Sequence, residues 1–233
     1  MAGPEPAGAG GAALPERARA LLDVWFGTPE DPLREERRDI WFHSTPQYDE
    51  TLRERFLADY ERAAAGALAD WEAAPDSALA LVLLLDQIPR NIFRATPRCY
   101  ATDAMARAVA DRAMALGFDM KVPPAWRLFF YMPLHHSEDL ADQRRAMALV
   151  ANLPGRRDPE HGENRRYGLP YVEVIARFGR FPHRNTILGR ASTPEELAFL
   201  GKPKPESRDE PSVRPLSGRP GESRDPLVGG TNS

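Results

Sequence analysis

The stretch A-L-A-L-V-L-L-L-D-Q-I-P-R-N, residues 78–91, decides the fold of this chain. Its first eight residues are apolar without interruption, and Pro75, Asp76 and Ser77 just before them are typical of a helix start. An apolar run with no polar face indicates a helix that is buried on all sides. Because a helix that spans a bilayer needs roughly 18 to 20 apolar residues, the run predicts a core helix and not a membrane span.

Apolar residues at helical spacing predict further helices on both sides of this core helix. Three helices are expected to start near Pro15, Thr45 and Thr102, and four more at Pro123, Ser137, Leu169 and Thr193. On the first, second and fourth helices the residues expected to face inward are Leu14, Leu21, Leu22, Trp25 and Phe26; Tyr48, Leu52, Phe56, Leu57 and Tyr60; and Met105, Ala106, Val109, Ala113 and Leu116. No stretch alternates in the manner of a strand. The sequence therefore predicts one all-α domain of about eight or more helices, residues 14–201, without a β-sheet.

Segments rich in proline, glycine and charge flank and interrupt the predicted domain. We expect a disordered N-terminal arm at residues 1–13, a surface loop at residues 154–167 and a disordered tail at residues 202–233. None of these segments shows apolar periodicity. We therefore expect the core to be built from the remaining residues.

Charge and cysteine content argue against several classes of protein. The 233 residues carry a net charge of −3, and the pI is near 6.0, so there is no general attraction to nucleic acid or to an anionic membrane. A single cysteine, Cys99, rules out an intramolecular disulfide and a multi-cysteine metal site. The first residues lack the pattern of a secretory signal. We expect a cytoplasmic protein without a cofactor, and the one set of residues that suggests a metal site is His183 with His136, Glu138 and Asp86.

Three segments combine an apolar run, a proline and a dense group of polar residues. They are L-L-L-D-Q-I-P-R-N at 83–91, F-F-Y-M-P-L-H-H-S-E-D at 129–139 and F-G-R-F-P-H-R-N at 178–185. A proline in a helix leaves the carbonyl four residues earlier without its backbone donor, here Leu85 for Pro89. Each break therefore presents a carbonyl as well as polar side chains, and we expect the three segments to meet around one pocket.

Asp86 follows the most apolar run of the chain, so its carboxylate is expected to enter the interior and to need a cationic partner. Arg90, four residues later, is one candidate, and an arginine of residues 177–184 is another. A second interpretation stays open, because buried Asp–Arg pairs often only hold helices in register. The same holds for His135 and His136, which are typical of helix ends.

The segment I-A-R-F-G-R-F-P-H-R-N-T-I-L-G-R, residues 175–190, carries four arginines and a histidine without one acidic residue. Guanidinium groups suit bidentate contacts with carboxylates and phosphates. Four arginines exceed what Asp86, Glu138 and Asp139 need for neutralisation. The surplus predicts a small anionic ligand.

The same segments resemble the bacterial and fungal family called domain of unknown function 924. The resemblance covers residues 16–201, and the family commonly has a histidine where this sequence has Tyr171. It implies an all-helical domain similar to tetratricopeptide-type helical arrays, with no assigned activity, and any chemistry that needs the missing histidine would not be shared. The matching residues are Trp25-Phe26-Gly27, Trp41-Phe42, residues 84–94, Tyr131-Met132-Pro133, His136-Ser137-Glu138-Asp139 with Gln143, residues 177–185, Leu188-Gly189-Arg190, and Ser192-Thr193-Pro194-Glu195-Glu196.

Three functions are compatible with these features. The leading hypothesis is a pocket for a small anionic molecule, in which His136, Glu138 and His183 are the candidates for acid–base chemistry. A module that binds a peptide on a concave helical surface is the alternative, and a metal-dependent hydrolase, suggested only by histidines near acids, is the third. Partners among nucleic acids and membranes are not expected. The residues expected to bind the ligand are Asp86, Arg90, Asn91, His136, Glu138, Arg177, Arg180, His183, Arg184 and Asn185.

Overall fold

The computed structural model describes residues 13–153 and 169–201, and within these ranges the chain forms eight α-helices, several short 3-10 helices and no β-strand. The predicted all-α fold is confirmed. The likeness to tetratricopeptide arrays stays a prediction, and the predicted arm (apart from Ala13), loop and tail lie outside the described residues. None of the described helices has both the length and the hydropathy needed to cross a membrane. The helices are α1 (Glu16–Phe26), α2 (Pro46–Ala64), α3 (Pro75–Ile92), α4 (Asp103–Ala115), α5 (Pro124–His135), α6 (Leu140–Ala151), α7 (Leu169–Phe178) and α8 (Pro194–Leu200).

Helix α3 is the centre of the fold. It packs against α1, α2, α4 and α5, and every residue from 77 to 89 is buried. Full burial of a Leu or Val side chain contributes about 1.5–3 kcal/mol, so this run is a main source of stability. The predicted helix buried on all sides is confirmed. Pro89 lies inside α3, which continues past the proline to Ile92.

Aromatic side chains form a further part of the core between α1 and α5. Phe26 stacks on Trp126 with 4.1 Å between ring centroids, and Phe129 meets the rings of Trp25, Phe26 and Trp41 edge to face. Trp41 Nε1 donates a hydrogen bond to the carbonyl oxygen of Trp25 at 2.7 Å. These contacts fix α5, whose far end carries residues of the candidate site.

Helix α4 buries a narrower face than the sequence predicts. Ala106, Val109 and Ala113 are buried as expected, but the prediction that Met105 and Leu116 face inward is wrong, since they are 37% and 59% exposed. The buried stripe of α4 consists mainly of small residues, and Met105 lies outside it. Leu116 follows the last helical residue, where the chain turns at Gly117.

The turn between α5 and α6 is fixed by polar contacts. Asp139 is the N-cap of α6 and accepts a hydrogen bond from the N–H of Ala141 at 2.6 Å, while the Ser137 hydroxyl accepts one from the N–H of Asp139 at 3.1 Å. Gln143 Nε2 donates to the carbonyl oxygens of His135 and Ser137 at 2.6 and 2.7 Å. The structure places the N-cap of α6 at Asp139, two residues after the predicted Ser137, and the chain from His136 to Asp139 is a turn held by these hydrogen bonds.

The C-terminal segment returns to this turn. Helix α7 packs against α6, and the short 3-10 helix Pro182–Arg184 packs against α8. The predicted capping box of α8 is confirmed: Thr193 Oγ1 accepts from the N–H of Glu196 at 3.1 Å, and Glu196 Oε2 accepts from the N–H of Thr193 at 2.8 Å. The arginine-rich segment is thus held between α8 and the turn that follows α5.

Candidate functional site

Asp86 is a fully buried carboxylate in the C-terminal part of α3. Its Oδ1 lies 2.7 Å from Nδ1 of His136 and 3.3 Å from Nη1 of Arg90, and its Oδ2 accepts a hydrogen bond from Nε2 of Gln87 at 2.6 Å. Burial by itself raises the pKa of this carboxyl, but Arg90 and His136 outweigh it and hold the pKa well below its usual range. Asp86 is therefore ionised at neutral pH.

His136 follows the last residue of α5 and is oriented by Asp86 of α3. Burial and the charge of Arg90 lower the pKa of His136, although Asp86 opposes them, so the imidazole is neutral at pH 7. Because an ionised carboxylate only accepts hydrogen bonds, the proton of the neutral ring lies on Nδ1. Nε2 then carries a lone pair, and 17% of the side chain is open to solvent.

Arg90 and Asp103 continue from Asp86 toward the arginine-rich segment. Arg90 makes two hydrogen bonds with the Asp103 carboxylate at 2.8 and 2.9 Å and a third with the carbonyl oxygen of Asp86 at 2.8 Å. Burial lowers the pKa of Arg90, but the two carboxylates raise it above its ordinary value. The sequence analysis missed Asp103, because at the first position of α4 it looked only like a residue that starts a helix.

Arg184 lies against Asp103, with 3.5 Å between Nη1 and Oδ2. Its Cζ is 4.5 Å from the ring centroids of both Tyr100 and Phe181, and only 7% of the residue is exposed. Burial and the charge of Arg90 lower the pKa of Arg184. Within the part of the chain that the structure describes, its buried Nε has no hydrogen-bond partner. We call His136, Asp86, Arg90, Asp103 and Arg184 the buried ion chain.

The carbonyl that Pro89 leaves without a backbone donor is bound by a side chain of the protein. Thr102 Oγ1 donates a hydrogen bond to the carbonyl oxygen of Leu85 at 2.6 Å, and both groups are buried. Thr102 is the N-cap residue of α4, but its side chain makes no capping hydrogen bond with that helix. Pro89 removes the backbone donor as predicted, but the helix continues past it, and the Leu85 carbonyl ties α3 to α4 and is not presented to a ligand.

Glu138 belongs to a second network, next to the buried ion chain. Its carboxylate makes two hydrogen bonds with Arg190 at 2.7 and 2.9 Å and accepts the N–H of Phe181 at 2.8 Å. Burial by itself raises the pKa of Glu138, but these contacts lower it below the usual value. Arg190 also donates to Asn185 Oδ1 at 2.9 Å. The acid–base candidate Glu138 therefore holds residues 181–190 in place, whereas the acid beside His136 is Asp86.

Arg177 and Arg180 have carboxylate partners on α8. Arg180 makes two hydrogen bonds with Glu196 at 2.7 and 2.8 Å, and Arg177 Nε bonds Glu195 at 3.0 Å. The predicted surplus of arginines is therefore wrong, because the prediction did not count three acids, Asp103 of α4 and Glu195 and Glu196 of α8. Any anion site must rest on the unused hydrogen-bonding capacity of Arg184 and not on excess charge.

The remaining predicted residues lie at the edge of these networks. Asn91 Oδ1 accepts from Arg94 at 3.3 Å, and the exposed His183 has its ring 5.5 Å from that of Phe181. Asn185 is fully buried and donates to Ser192 and Glu196. Tyr171 lies close to the site, because its ring is 6.0 Å from that of Phe181, which covers Arg184.

Two further features bear on the alternative functions. In residues 13–153 and 169–201 there is no group of three or more His, Cys, Asp or Glu side chains placed to hold a metal ion. Between α2, α3 and α4 there is a groove of about 230 Å³. Small-molecule pockets usually measure about 300–1,000 Å³, so this groove fits one or two side chains better than a whole ligand. It is lined by Ala63, Gly66, Leu68, Ala69, Glu72, Leu81, Leu85, Met105, Ala108, Val109 and Arg112.

Comparisons with known proteins give the family. Residues 21–204 match a family described as "Bacterial protein of unknown function (DUF924)". The chain belongs to this family. The resemblance seen in the sequence motifs is thereby confirmed, and the matched range includes the whole buried ion chain.

A solved structure is also similar to this chain. A protein of unknown function from Agrobacterium tumefaciens is 39% identical to this chain, and the match covers 79% of this chain and 96% of that one with a TM-score of 0.66. The comparison with curated proteins gives no match. Neither description carries an activity, so the function has to be inferred from the side chains of the site.

Proposed function

We propose that this DUF924 protein binds a small anionic molecule, through a carboxylate or phosphate group, at Arg184 in the cytoplasm. The observation that carries the proposal is the buried Nε of Arg184, which has no hydrogen-bond partner among the described residues. A buried donor without a partner costs about 1–3 kcal/mol. A ligand oxygen at this position would remove that cost.

The orientation of the guanidinium favours an anion with two adjacent oxygens. Nη1 faces Asp103, so the opposite edge, formed by Nε and Nη2, is the one directed away from that carboxylate. These two nitrogens present parallel N–H groups, which match carboxylate and phosphate oxygens. The rings of Phe181 and Tyr100 contact the guanidinium and fix its orientation, which reduces the entropy lost on binding.

Charge balance limits the affinity that we expect. With His136 neutral, the carboxylates of Asp86 and Asp103 offset the guanidinium groups of Arg90 and Arg184. The ligand is therefore bound by directed hydrogen bonds in a poorly solvated place and not by a strong positive field. Monoanionic groups suit such a site better than highly charged ones.

Thermal unfolding with and without added anions tests this function. Inorganic phosphate and succinate serve as probes for the two anion types, and a ligand at about 100 times its dissociation constant stabilises by about 2.7 kcal/mol. We expect one probe to raise the Tm of the wild type and of Arg177→Gln, in which an exposed arginine of the same segment is changed. Arg184→Gln should lose this rise.

Arg184→Lys guards against a variant that simply unfolds. It keeps the charge but lacks the fork of donors, so a folded Arg184→Lys protein should bind the probe more weakly than the wild type. The proposal is overturned if Arg184→Gln is folded and keeps the full rise in Tm, or if neither probe shifts the Tm of the wild type.

A second candidate is a peptide-binding module, and the groove between α2, α3 and α4 favours it. Met105 at the groove is 37% exposed, and the bidentate pair of Arg112 and Glu72 lies beside it, with distances of 2.6 and 2.8 Å. One apolar side chain of a peptide would fit, flanked by polar contacts. In a peptide-array screen, binding that Met105→Glu abolishes and Arg184→Gln leaves intact would favour this function over the first.

A further inference from the structure

The geometry points to His136 as a general base in the hydrolysis of an ester that carries a carboxylate, with Asp86 as its positioning residue. The inference rests on the proposed anion site at Arg184 for the choice of substrate. It goes beyond that proposal because it makes the protein an enzyme and not only a binding protein.

Asp86 and His136 are arranged as a base and its orienting group. The 2.7 Å contact between Asp86 Oδ1 and His136 Nδ1 fixes the tautomer, and Gln87 and Arg90 fix the carboxylate from its other sides. Gln143 binds the carbonyl oxygens on both sides of His136, so the ring is also held through its backbone. A base held this way loses little freedom when it takes a proton.

The other ring nitrogen is left for chemistry. In the described ranges no hydrogen-bond partner of His136 Nε2 is found, and 17% of the side chain is exposed, enough for contact with water. The charged groups that face the ring are Asp86 and Arg90 of α3, with Asp103 of α4 behind Arg90. The ionised Asp86 stabilises the imidazolium that forms when Nε2 takes a proton.

The substrate class follows from the groups at the two ends of the buried ion chain. His136 and Arg184 are joined by four contacts of 3.5 Å or less, which run through Asp86, Arg90 and Asp103. A substrate that reaches both ends needs an anionic group for Arg184 and a reactive bond at His136. A monoester of a dicarboxylic acid has this form.

The step balances as follows. His136 Nε2 takes a proton from water while the water oxygen forms a bond to the ester carbonyl carbon, and the carbonyl π pair moves onto the carbonyl oxygen. That pair returns as the bond to the alcohol oxygen breaks. The alkoxide leaves with the bond pair and takes the proton from Nε2, which regenerates the neutral imidazole.

Two esters separate this inference from the proposed function. Mono-4-nitrophenyl succinate carries the free carboxylate, and 4-nitrophenyl acetate does not. We expect the wild type to hydrolyse the succinate ester faster than buffer, with kcat rising through the lowered pKa of His136 and levelling above it. His136→Gln should lower kcat about 100-fold or more, the range typical of a general base, whereas His43→Gln, at an exposed histidine before α2, should not.

Asp86→Asn and Arg184→Gln divide the two roles. Asp86→Asn should lower kcat and move the pH profile while KM changes little, a pattern that a merely structural loss would not give. Arg184→Gln should raise KM for the succinate ester alone. If His136→Gln stops hydrolysis of both esters but Arg184→Gln changes neither KM, the anion site fails and the base survives.

The inference has its own refutation. It is overturned if the wild type is no faster than buffer with both esters, or if His136→Gln leaves the rates unchanged. Nitrogen NMR of the wild type gives a check that does not depend on folding of variants. At pH 7 the His136 ring should be protonated on Nδ1 and bare on Nε2, and the opposite tautomer would also overturn it.

Discussion

The hydrogen bond from Thr102 to the Leu85 carbonyl allows a sharp test of how the break at Pro89 is repaired. Replacing Thr102 by Val keeps the shape of the side chain and removes the hydroxyl. The carbonyl is buried and has lost its backbone donor to the proline, so it would be left with no partner. A buried group in this state costs about 1–3 kcal/mol. We expect Thr102→Val to lower the free energy of unfolding by that amount.

A double-mutant cycle with Pro89→Ala isolates this carbonyl from other effects. The Tyr60 hydroxyl also interacts with Thr102, so the single value contains more than one contact. In Pro89→Ala the new N–H at position 89 can donate to Leu85, and Thr102→Val should then cost less by about 1 kcal/mol, a coupling typical of residues that share a partner. Thr51→Val is the control, because the Thr51 hydroxyl bonds a helix carbonyl on the surface and should matter little.

Urea unfolding of the four proteins of the cycle and the control gives the numbers. The slope of the free energy with urea should not change, because the surface exposed on unfolding is the same. A cost of less than about 0.5 kcal/mol for Thr102→Val, or the same cost with and without Pro89, would refute the reasoning. In that case the Leu85 carbonyl would have another partner.

Two other outcomes follow from the same structure. Arg180 and the N–H of Thr193 lower the pKa of Glu196 to about 2, so the contribution of this carboxylate to stability is present above the unfolded pKa of about 4.3 and is lost as pH falls toward 2. Urea unfolding should therefore show a flatter dependence of stability on pH for Glu196→Gln in that window. A dependence as steep as that of the control Glu195→Gln, at an exposed site, would contradict this prediction. Burial raises the pKa of the Cys99 thiol, and only 4% of the residue is exposed. Labelling by a disulfide reagent should therefore be at least about tenfold slower in the native than in the urea-unfolded protein. Equal labelling rates would show that the thiol is accessible to solvent in the native protein.

Local patterns in the sequence were sufficient to predict the helices. The uninterrupted apolar run of α3 and the T-P-E-E start of α8 each depend on residues close together in the chain, and both are confirmed. Met105 was misplaced because spacing shows which residues share a face but not how wide the buried part of that face is. The buried residues of α4 are mainly small, so its buried stripe is narrower than the periodicity suggests.

The pairing of charges depended on long-range contacts that spacing does not encode. Asp86 with Arg90 was foreseen because the two residues are four apart, whereas Asp86 with His136 spans 50 positions. Glu138 was grouped with His136 because they are neighbours in sequence, yet the turn before α6 directs Glu138 toward Arg190, 52 positions away. One signal in the sequence could have found Asp103. It follows Thr102 in a polar break between two apolar helices, and a carboxylate there could serve as a second partner for the arginines.

The energetics of the buried ion chain argue against a role in stability alone. Each buried charge loses several kcal/mol of hydration, and the attraction between partners returns roughly that amount, so apolar residues of similar size would often hold α3, α4 and α5 together as well. A purely structural network would also be expected to satisfy its own donors, as Glu138 and Arg190 do with five hydrogen bonds between the pair and their neighbours. The buried ion chain instead ends in Nε2 of His136 at one side and in Nε of Arg184 at the other, and both atoms lack a partner in the described residues. Unused polar groups at both ends of an otherwise paired chain are what a binding or catalytic role requires, and a role confined to helix register gives no reason for them.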